Sequence, residues 1–151
     1  MNFMNALLAL HILGAVVWVG GMAFALLVLR PSLAVLEPPQ RLALHAQVFR
    51  RFFRYIWHAM PIMLLTGYAM LAAVPGGFST ASLAVNIMQA LGLIMAVVFL
   101  VIFFGPWRTM RAAMDRKDNA AAAAAVDKIR QLVRVNLILG TVTVLAAAWG
   151  A

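Results

Sequence analysis

The sequence predicts an all-α membrane protein, a bundle of four transmembrane helices with helical extensions on the cytoplasmic side. Of its 151 residues, 66% are hydrophobic and only 11% are charged. A soluble domain of this size has an apolar fraction nearer to one half, because its surface needs more polar side chains. The chain instead has room for about four spans of ~20 residues with short connections. We expect residues 1–151 to form a single domain.

Four apolar runs define the expected spans. They cover about residues 6–29, 55–74, 81–104 and 131–149. The second run stops at Pro75-Gly76-Gly77 and the third at Gly105-Pro106, and both sequences terminate helices. Because the number of crossings is even, both termini are expected on the same side of the membrane.

The basic residues predict the orientation of these spans. Five arginines lie between the first and second spans, and the other seven basic residues lie between the third span and the start of the fourth. The positive-inside rule places both connections in the cytoplasm. We therefore expect a multi-pass protein of the bacterial inner membrane with both termini on the periplasmic side.

Composition also limits the chemistry that the chain can perform. The absence of cysteine excludes disulfides, thiolate metal sites, iron–sulfur clusters and covalent c-type haem. The four acidic residues, Glu37, Asp115, Asp118 and Asp127, all lie in the connections. No carboxylate is thus expected in the bilayer for a proton relay or a hard cation. A metal site must rely on His, Met, Asn or Gln.

Both cytoplasmic connections are expected to be helical. Pro38-Pro39 precedes apolar residues interleaved with arginines, which is typical of a basic amphipathic helix that continues into the second span. Asp118-Asn119 can cap an alanine-rich helix that leads into the fourth span. The net charge of +8 favours anionic lipid headgroups over nucleic acid as the partner. The alternative is a docking surface for a partner or an anionic ligand. A transporter with only four helices would be small on its own, whereas several copies together could form one. We therefore expect a homo-oligomer.

The few polar residues inside the spans are the candidate functional residues, because ionisable side chains are costly in hydrocarbon. At about 1.5 Å per residue, His11 lies roughly 8 Å inside the outer face, at a depth similar to Asn86 and Gln89. His58 and Asn136 form an inner layer. The two histidines differ in height by roughly 15 to 20 Å, which argues against them as paired axial ligands of one haem iron. An opposite ligand for His11 would come from its own layer: Asn86, Gln89, a methionine such as Met88, or water.

The surroundings of His11 allow two interpretations. Gly14 and Trp18 follow it at helical spacing, so a flat macrocycle could occupy the gap beside the glycine. Alternatively, Gly14, Gly21 and Ala25 allow close helix packing, and His11 bonds to Asn86 or Gln89.

A weaker candidate for a metal site lies on the second span. His58, Met60 and Met63 offer imidazole and thioether donors of the kind that Cu(I) accepts. Positions 58 and 60 face about 200° apart on a regular helix. Only a kink at Pro61, which cannot bond to the carbonyl of Trp57, would bring them together. His45 is interpreted as an interfacial residue.

Four segments carry a resemblance to a known family. They are Leu10–Gly21, Arg50–Phe53, Pro61–Gly67 and Met88–Gly92. Together they resemble the CopD-like membrane proteins, named for copper resistance, which are similar in pattern to the HemJ-type protoporphyrinogen oxidases. In HemJ-type proteins a helix-one histidine and a helix-three lysine are tied to haem b and activity. The resemblance maps that histidine onto His11, whereas helix three of this chain has no lysine.

These observations lead to one main hypothesis and two alternatives. The main hypothesis is that His11 binds haem b or copper near the outer face, with Asn86 and Gln89 completing the pocket, Trp18 flanking the group and Gly14 making room. Its role would be copper handling or membrane redox chemistry. The first alternative is a HemJ-like oxidase that passes electrons to quinone. The second is a structural or assembly subunit whose basic helices recruit a partner.

Overall fold

The computed structural model describes residues 2–150, and the chain there is helical almost throughout. The helices are α1 (Phe3–Val35), α2 (Pro38–Ala72), α3 (Leu83–Phe104), α4 (Pro106–Asp115) and α5 (Asn119–Trp149). A 3-10 turn, Gly77–Thr80, lies between α2 and α3. Within residues 2–150 no strand occurs. Four helical segments, with α3 and α4 taken together, are long and apolar enough to cross a membrane. The predicted all-α, four-span fold is confirmed.

The helices begin and end where local chemistry dictates. Pro38 opens α2, and the Glu37 and Gln40 side chains form a capping box with the backbone there. The Asp118 carboxylate accepts a hydrogen bond of 2.9 Å from the N–H of Ala121 at the start of α5. After α2 the chain turns at Gly76, whose φ of +83° is favourable only for residues without a Cβ.

The third apolar run is followed by a break and then by a further helix. α3 ends before Gly105, whose backbone leaves the helical conformation (φ −98°, ψ −106°) and brings it so close to the carbonyl oxygen of Val101 that a Cβ atom would lie 2.7 Å from it. Pro106 then begins α4, which buries Trp107 and Met110 against the rest of the bundle. The helical structure therefore extends past the predicted end of the span at residue 104.

The first helix departs from regular α-helical winding at two places. The stretches Val16–Gly20 and Ala25–Leu29 are π-helical. A π turn contains more residues than an α turn, so each stretch rotates the following side chains about the helix axis. Residues of α1 that share a face by α-helical spacing therefore do not all share one in the structure.

The helices pack in pairs, α1 with α2 and α5 with both α3 and α4. The core between the pairs is aromatic: the ring of Phe53 lies 5.9 Å from Phe99 and 5.5 Å from Trp107, centroid to centroid. We call the end with the α1–α2 and α4–α5 connections the basic end. The opposite end, with residue 3, residue 149 and the α2–α3 connection, is the charge-free end, since no Lys or Arg lies there.

Much of the outer surface is apolar. Leu13, Leu27 and Leu65 are 61%, 70% and 71% exposed, and they lie in the middle of long helices. Soluble monomers rarely expose extended apolar surfaces of this kind. Such a surface is the one expected of helices whose backbone groups are satisfied internally and whose side chains face lipid.

Candidate functional site

A cavity of about 300 Å³ lies at the charge-free end of the bundle. The helices α1, α2, α3 and α5 all contribute to its walls. The polar side chains in its lining include His11, Tyr68, Gln89 and Thr143. Half of the ten methionines of the chain also line it, namely Met4, Met63, Met70, Met88 and Met95. We call it the His11 cavity.

The His11 ring is held by its Nδ1 atom. This nitrogen lies 2.9 Å from the backbone carbonyl oxygen of Met63 and 3.2 Å from the hydroxyl of Thr66. A carbonyl oxygen only accepts, so Nδ1 carries the proton and donates it. The Thr66 hydroxyl itself donates to the carbonyl of Ile62 at 2.6 Å, which leaves its oxygen free to accept from His11. In the neutral ring, Nε2 then carries the lone pair.

A glycine makes this approach possible. The Met63 carbonyl points along α2 toward Gly67, one helical turn later. A Cβ atom on Gly67 would lie 3.1 Å from Cε1 of His11 and 3.5 Å from Nδ1. The missing side chain therefore leaves room for the imidazole to lie against α2 and reach the carbonyl. Neither Thr66 nor Gly67 was among the candidate residues from sequence, although both lie in the segment Pro61–Gly67.

Gly14 and Trp18 have different surroundings from each other. A Cβ atom on Gly14 would overlap the side chain of Met63, so the gap that we expected beside His11 is filled by this methionine. Gly21 similarly accommodates the ring of Phe52. These glycines thus serve close packing of α1 on α2. Trp18 is 3% exposed, lines the His11 cavity and contacts Phe99 edge-on at 6.5 Å.

The expected outer polar layer is divided in the structure. Gln89 lines the His11 cavity together with His11. Asn86 is exposed, and its amide donates to the carbonyl of Ala81 at 3.3 Å. The hydrogen bonds of His11 run to α2, where its partners are Met63 and Thr66 rather than either amide. Although Asn86 and Gln89 were expected at a depth similar to that of His11, only Gln89 lines the cavity, whereas Asn86 faces away from it.

The second-span candidates are also divided. His58 is exposed, and its Nδ1 lies 2.8 Å from the carbonyl of Arg54 in the preceding turn. Met60 is buried in the core. Met63 lines the His11 cavity. The thioether of Met63 is thus associated with His11, while His58 lies on the outer surface of the bundle.

Asn136 lies fully inside the bundle at 1% exposure. Its amide nitrogen donates to the backbone carbonyl of Met95 at 3.1 Å, and its Oδ1 has no partner among residues 2–150. One turn further along α5, a Cβ atom on Gly140 would lie 3.1 Å from the terminal methyl group of Met95. Asn136 and Gly140 therefore fix α5 against α3 where Met95 lines the His11 cavity.

The His11 cavity offers uncharged donors. No Asp, Glu, Lys or Arg side chain lines it, within the part of the chain that the structure describes. Residues 2–150 likewise contain no group of three or more His, Cys, Asp and Glu placed to hold a metal ion. Hard cations need several oxygen ligands, whereas the soft Cu(I) ion accepts imidazole and thioether. The donor set therefore fits a soft monovalent ion.

Comparisons with known proteins agree with this architecture. The profile of the family described as CopD, copper resistance protein D, matches residues 46–150. This range includes most of α2 and all of α3, α4 and α5. A protein of Aquifex aeolicus (strain VF5), described as uncharacterized, is similar at 32% identity over 124 residues, covering 81% of this chain and 82% of the relative. No solved structure matches significantly.

Proposed function

We propose that this multi-pass membrane protein, which belongs to the copper resistance protein D (CopD) family, binds a copper(I) ion in the His11 cavity as part of copper handling. The family match supports a link to copper. The cavity supports the oxidation state, because its donors are soft and neutral. In this proposal the copper ion is the cargo of the protein.

One observation carries the proposal. The Nδ1–H group of His11 donates to the Met63 carbonyl, which fixes the ring and leaves Nε2 as its lone-pair donor. Histidines that bind metals almost always donate their other N–H group to a carbonyl or carboxylate in this way. The side chain of the same residue, Met63, supplies a thioether to the same cavity.

The remaining residues of the cavity have supporting roles. Met88 and Met95 bring further thioethers from α3, and Met4 and Met70 bring two more from α1 and α2. Methionine is flexible and polarizable, so these side chains can adjust to an ion without a rigid geometry. The apolar walls, which include Trp18, limit competition from water. Gln89 provides an amide on the α3 side.

The charge distribution supports an orientation for this site. Every Lys and Arg lies toward the basic end, and the His11 cavity opens at the other end. By the positive-inside rule, the cavity would face the periplasmic side of a bacterial inner membrane. The protein would then meet copper on the outer side of that membrane.

Haem b is a second candidate ligand for the same nitrogen. A histidine with an available Nε2 is also the commonest axial haem ligand. The space beside Gly14 holds Met63, so a macrocycle would have to displace this side chain. A HemJ-like oxidase passing electrons to quinone would depend on this haem, and α3 has no lysine for it.

Competition for Cu(I) tests the proposal. The protein, purified in a mild detergent under reducing, oxygen-free conditions, is titrated against a coloured Cu(I) chelator. We expect the wild type to withdraw one copper per chain. His11→Ala should lower the affinity by about tenfold or more, the scale on which metal-site contacts act. His58→Ala, on the outer surface, is the matched control and should keep the affinity. Failure of the wild type to compete, or a Soret band in place of copper, would contradict the copper assignment.

A further inference from the structure

A second, smaller pocket lies at the basic end. Its volume is about 120 Å³, and α1, α2 and α5 enclose it. Its polar lining consists of Arg30, His45, Asp127 and Arg130. Its apolar lining includes Leu29, Phe49 and Val133. We call it the basic pocket. It is separate from the His11 cavity, with which it shares no lining residue.

The charges of the basic pocket are unbalanced. Arg130 pairs with Asp127 at 2.9 Å. This is the only ion pair within residues 2–150. Arg30 therefore contributes a positive charge that no carboxylate neutralises within residues 2–150. The Asp127 side chain is 58% exposed, so solvent screens its electrostatic attraction to Arg130. The pocket is thus electropositive.

Two buried nitrogen atoms in the basic pocket lack partners. Nδ1 of His45 and Nε of Arg130 are both buried without a hydrogen bond among the described residues. The His45 ring is held by stacking on Phe49, with centroids 5.4 Å apart, rather than by any polar contact. Buried polar atoms without a partner are rare in proteins, and a bound water, ion or ligand is a common explanation for them.

The electrostatics point to an anion. Burial and the charges of Arg30 and Arg130 lower the pKa of His45 from its ordinary value of 6.5, with Asp127 acting in the opposite direction. His45 lies outside the membrane span, ahead of Arg50 and Arg51 on the amphipathic part of α2. A water molecule could bond to both nitrogens but would not offset the positive charge.

We propose that the basic pocket binds a single phosphate group, held by Arg30, Arg130 and His45. Guanidinium groups bind phosphate through paired, charge-assisted hydrogen bonds, and Nε of Arg130 is available for one of them. The headgroup of an anionic phospholipid and free phosphate share this chemistry. Leu29 and Val133 line the side of the pocket next to the apolar spans. The acyl chain of a bound lipid would extend along these spans.

Native mass spectrometry tests the lipid source. The full-length protein in a maltoside detergent is offered phosphatidylglycerol and phosphatidylcholine with the same acyl chains. We expect preferential retention of phosphatidylglycerol. Arg30→Gln and Arg130→Gln should each reduce it about fivefold, the change that ~1 kcal/mol per basic residue gives near anionic headgroups. Arg116→Gln is the matched control, because Arg116 is exposed and outside the pocket. An equal loss in all three variants would overturn the proposal.

Histidine NMR tests the soluble source without any variant. Inorganic phosphate is added to wild-type protein with ¹⁵N-labelled histidines in the same detergent. A saturable shift of the His45 signals, with His11 and His58 unchanged, supports the pocket and assigns it to free phosphate if no lipid preference is found. Neither a lipid preference nor a His45 shift would overturn the proposal. Copper binding at His11 is independent of both results.

Discussion

The Cε1 atom of His11 lies 3.1 Å from the position that a Cβ atom on Gly67 would take. This distance is closer than nine in ten real Cβ contacts, so a side chain at this position would require the imidazole to move by a few tenths of an ångström. The contact explains how a histidine on α1 reaches a backbone carbonyl of α2. Gly67 is thus part of the candidate copper site although it offers no donor.

Replacing Gly67 should therefore weaken copper binding. In Gly67→Ala the added methyl group pushes the ring away from the Met63 carbonyl, and we expect the Cu(I) affinity to fall about tenfold, as for other contacts that orient a metal ligand. Gly92→Ala is the control, because Gly92 also lines the His11 cavity but a Cβ atom there meets nothing within 4 Å. The chelator titration measures both. Equal affinities of the two variants would contradict the role of Gly67.

The thioether of Met63 should matter for copper, whereas that of Met60 should not. Leucine has nearly the volume of methionine, so either replacement should cost less than about 1.5 kcal/mol in stability. Met63→Leu removes a sulfur from the His11 cavity and should reduce the Cu(I) affinity. Met60→Leu changes a core residue three positions earlier on α2 and should leave it intact. A larger loss in Met60→Leu would favour a site around His58 instead.

Two replacements of Asn136 should differ in stability. Asn136→Leu removes the hydrogen bond to Met95, worth about 1 kcal/mol, together with the unpaired Oδ1 atom, so the net change should be small. Asn136→Asp buries a carboxylate without a partner and should cost ~3 kcal/mol or more. Thermal unfolding in detergent, followed by circular dichroism, compares the two variants. Similar unfolding temperatures would show that Asn136 is not enclosed as described.

Acid should destabilise the protein through His45. The pKa of His45 is lowered in the folded state, so the unfolded chain binds the proton more readily. This contribution is complete above the ordinary pKa of 6.5 and is lost as the pH falls below it. Arg30 and Arg130 oppose protonation and Asp127 favours it. Relative to His45→Gln, the wild type should therefore lose stability between pH 7 and pH 5. A constant difference in unfolding temperature would contradict this.

The sequence was sufficient for the architecture because its signals are local. Proline and glycine marked the ends of α2 and α3, and Asp118 caps α5 as expected. Polar side chains are costly in hydrocarbon, so the candidate residues were restricted to the few polar positions inside the spans and their neighbours. Three of these candidates, His11, Trp18 and Gln89, line one cavity. These predictions follow from composition, periodicity and depth, which need no knowledge of neighbouring helices.

The partners of His11 could not be predicted because they depend on helix rotation. Depth placed His11 level with Asn86 and Gln89, but its hydrogen bonds run to α2, and the π-helical stretches of α1 alter which residues share a face. In so apolar a chain most methionines are expected to serve packing, so composition alone does not single out the five that line the cavity. A signal was nevertheless present: 4 and 11, 63 and 70, and 88 and 95 are each seven positions apart, and two helical turns return a residue to the same face. All six side chains line the His11 cavity.

Copper K-edge X-ray absorption of the Cu(I)-loaded protein tests the central claim most directly. It reports the elements bound to the metal, and comparison with His11→Ala shows whether the bound nitrogen belongs to His11. The spectrum should show sulfur ligands together with one imidazole nitrogen, and His11→Ala should lose the nitrogen. A copper shell that contains only nitrogen or oxygen, or one that His11→Ala leaves unchanged, would contradict copper binding by His11 and the methionines around it.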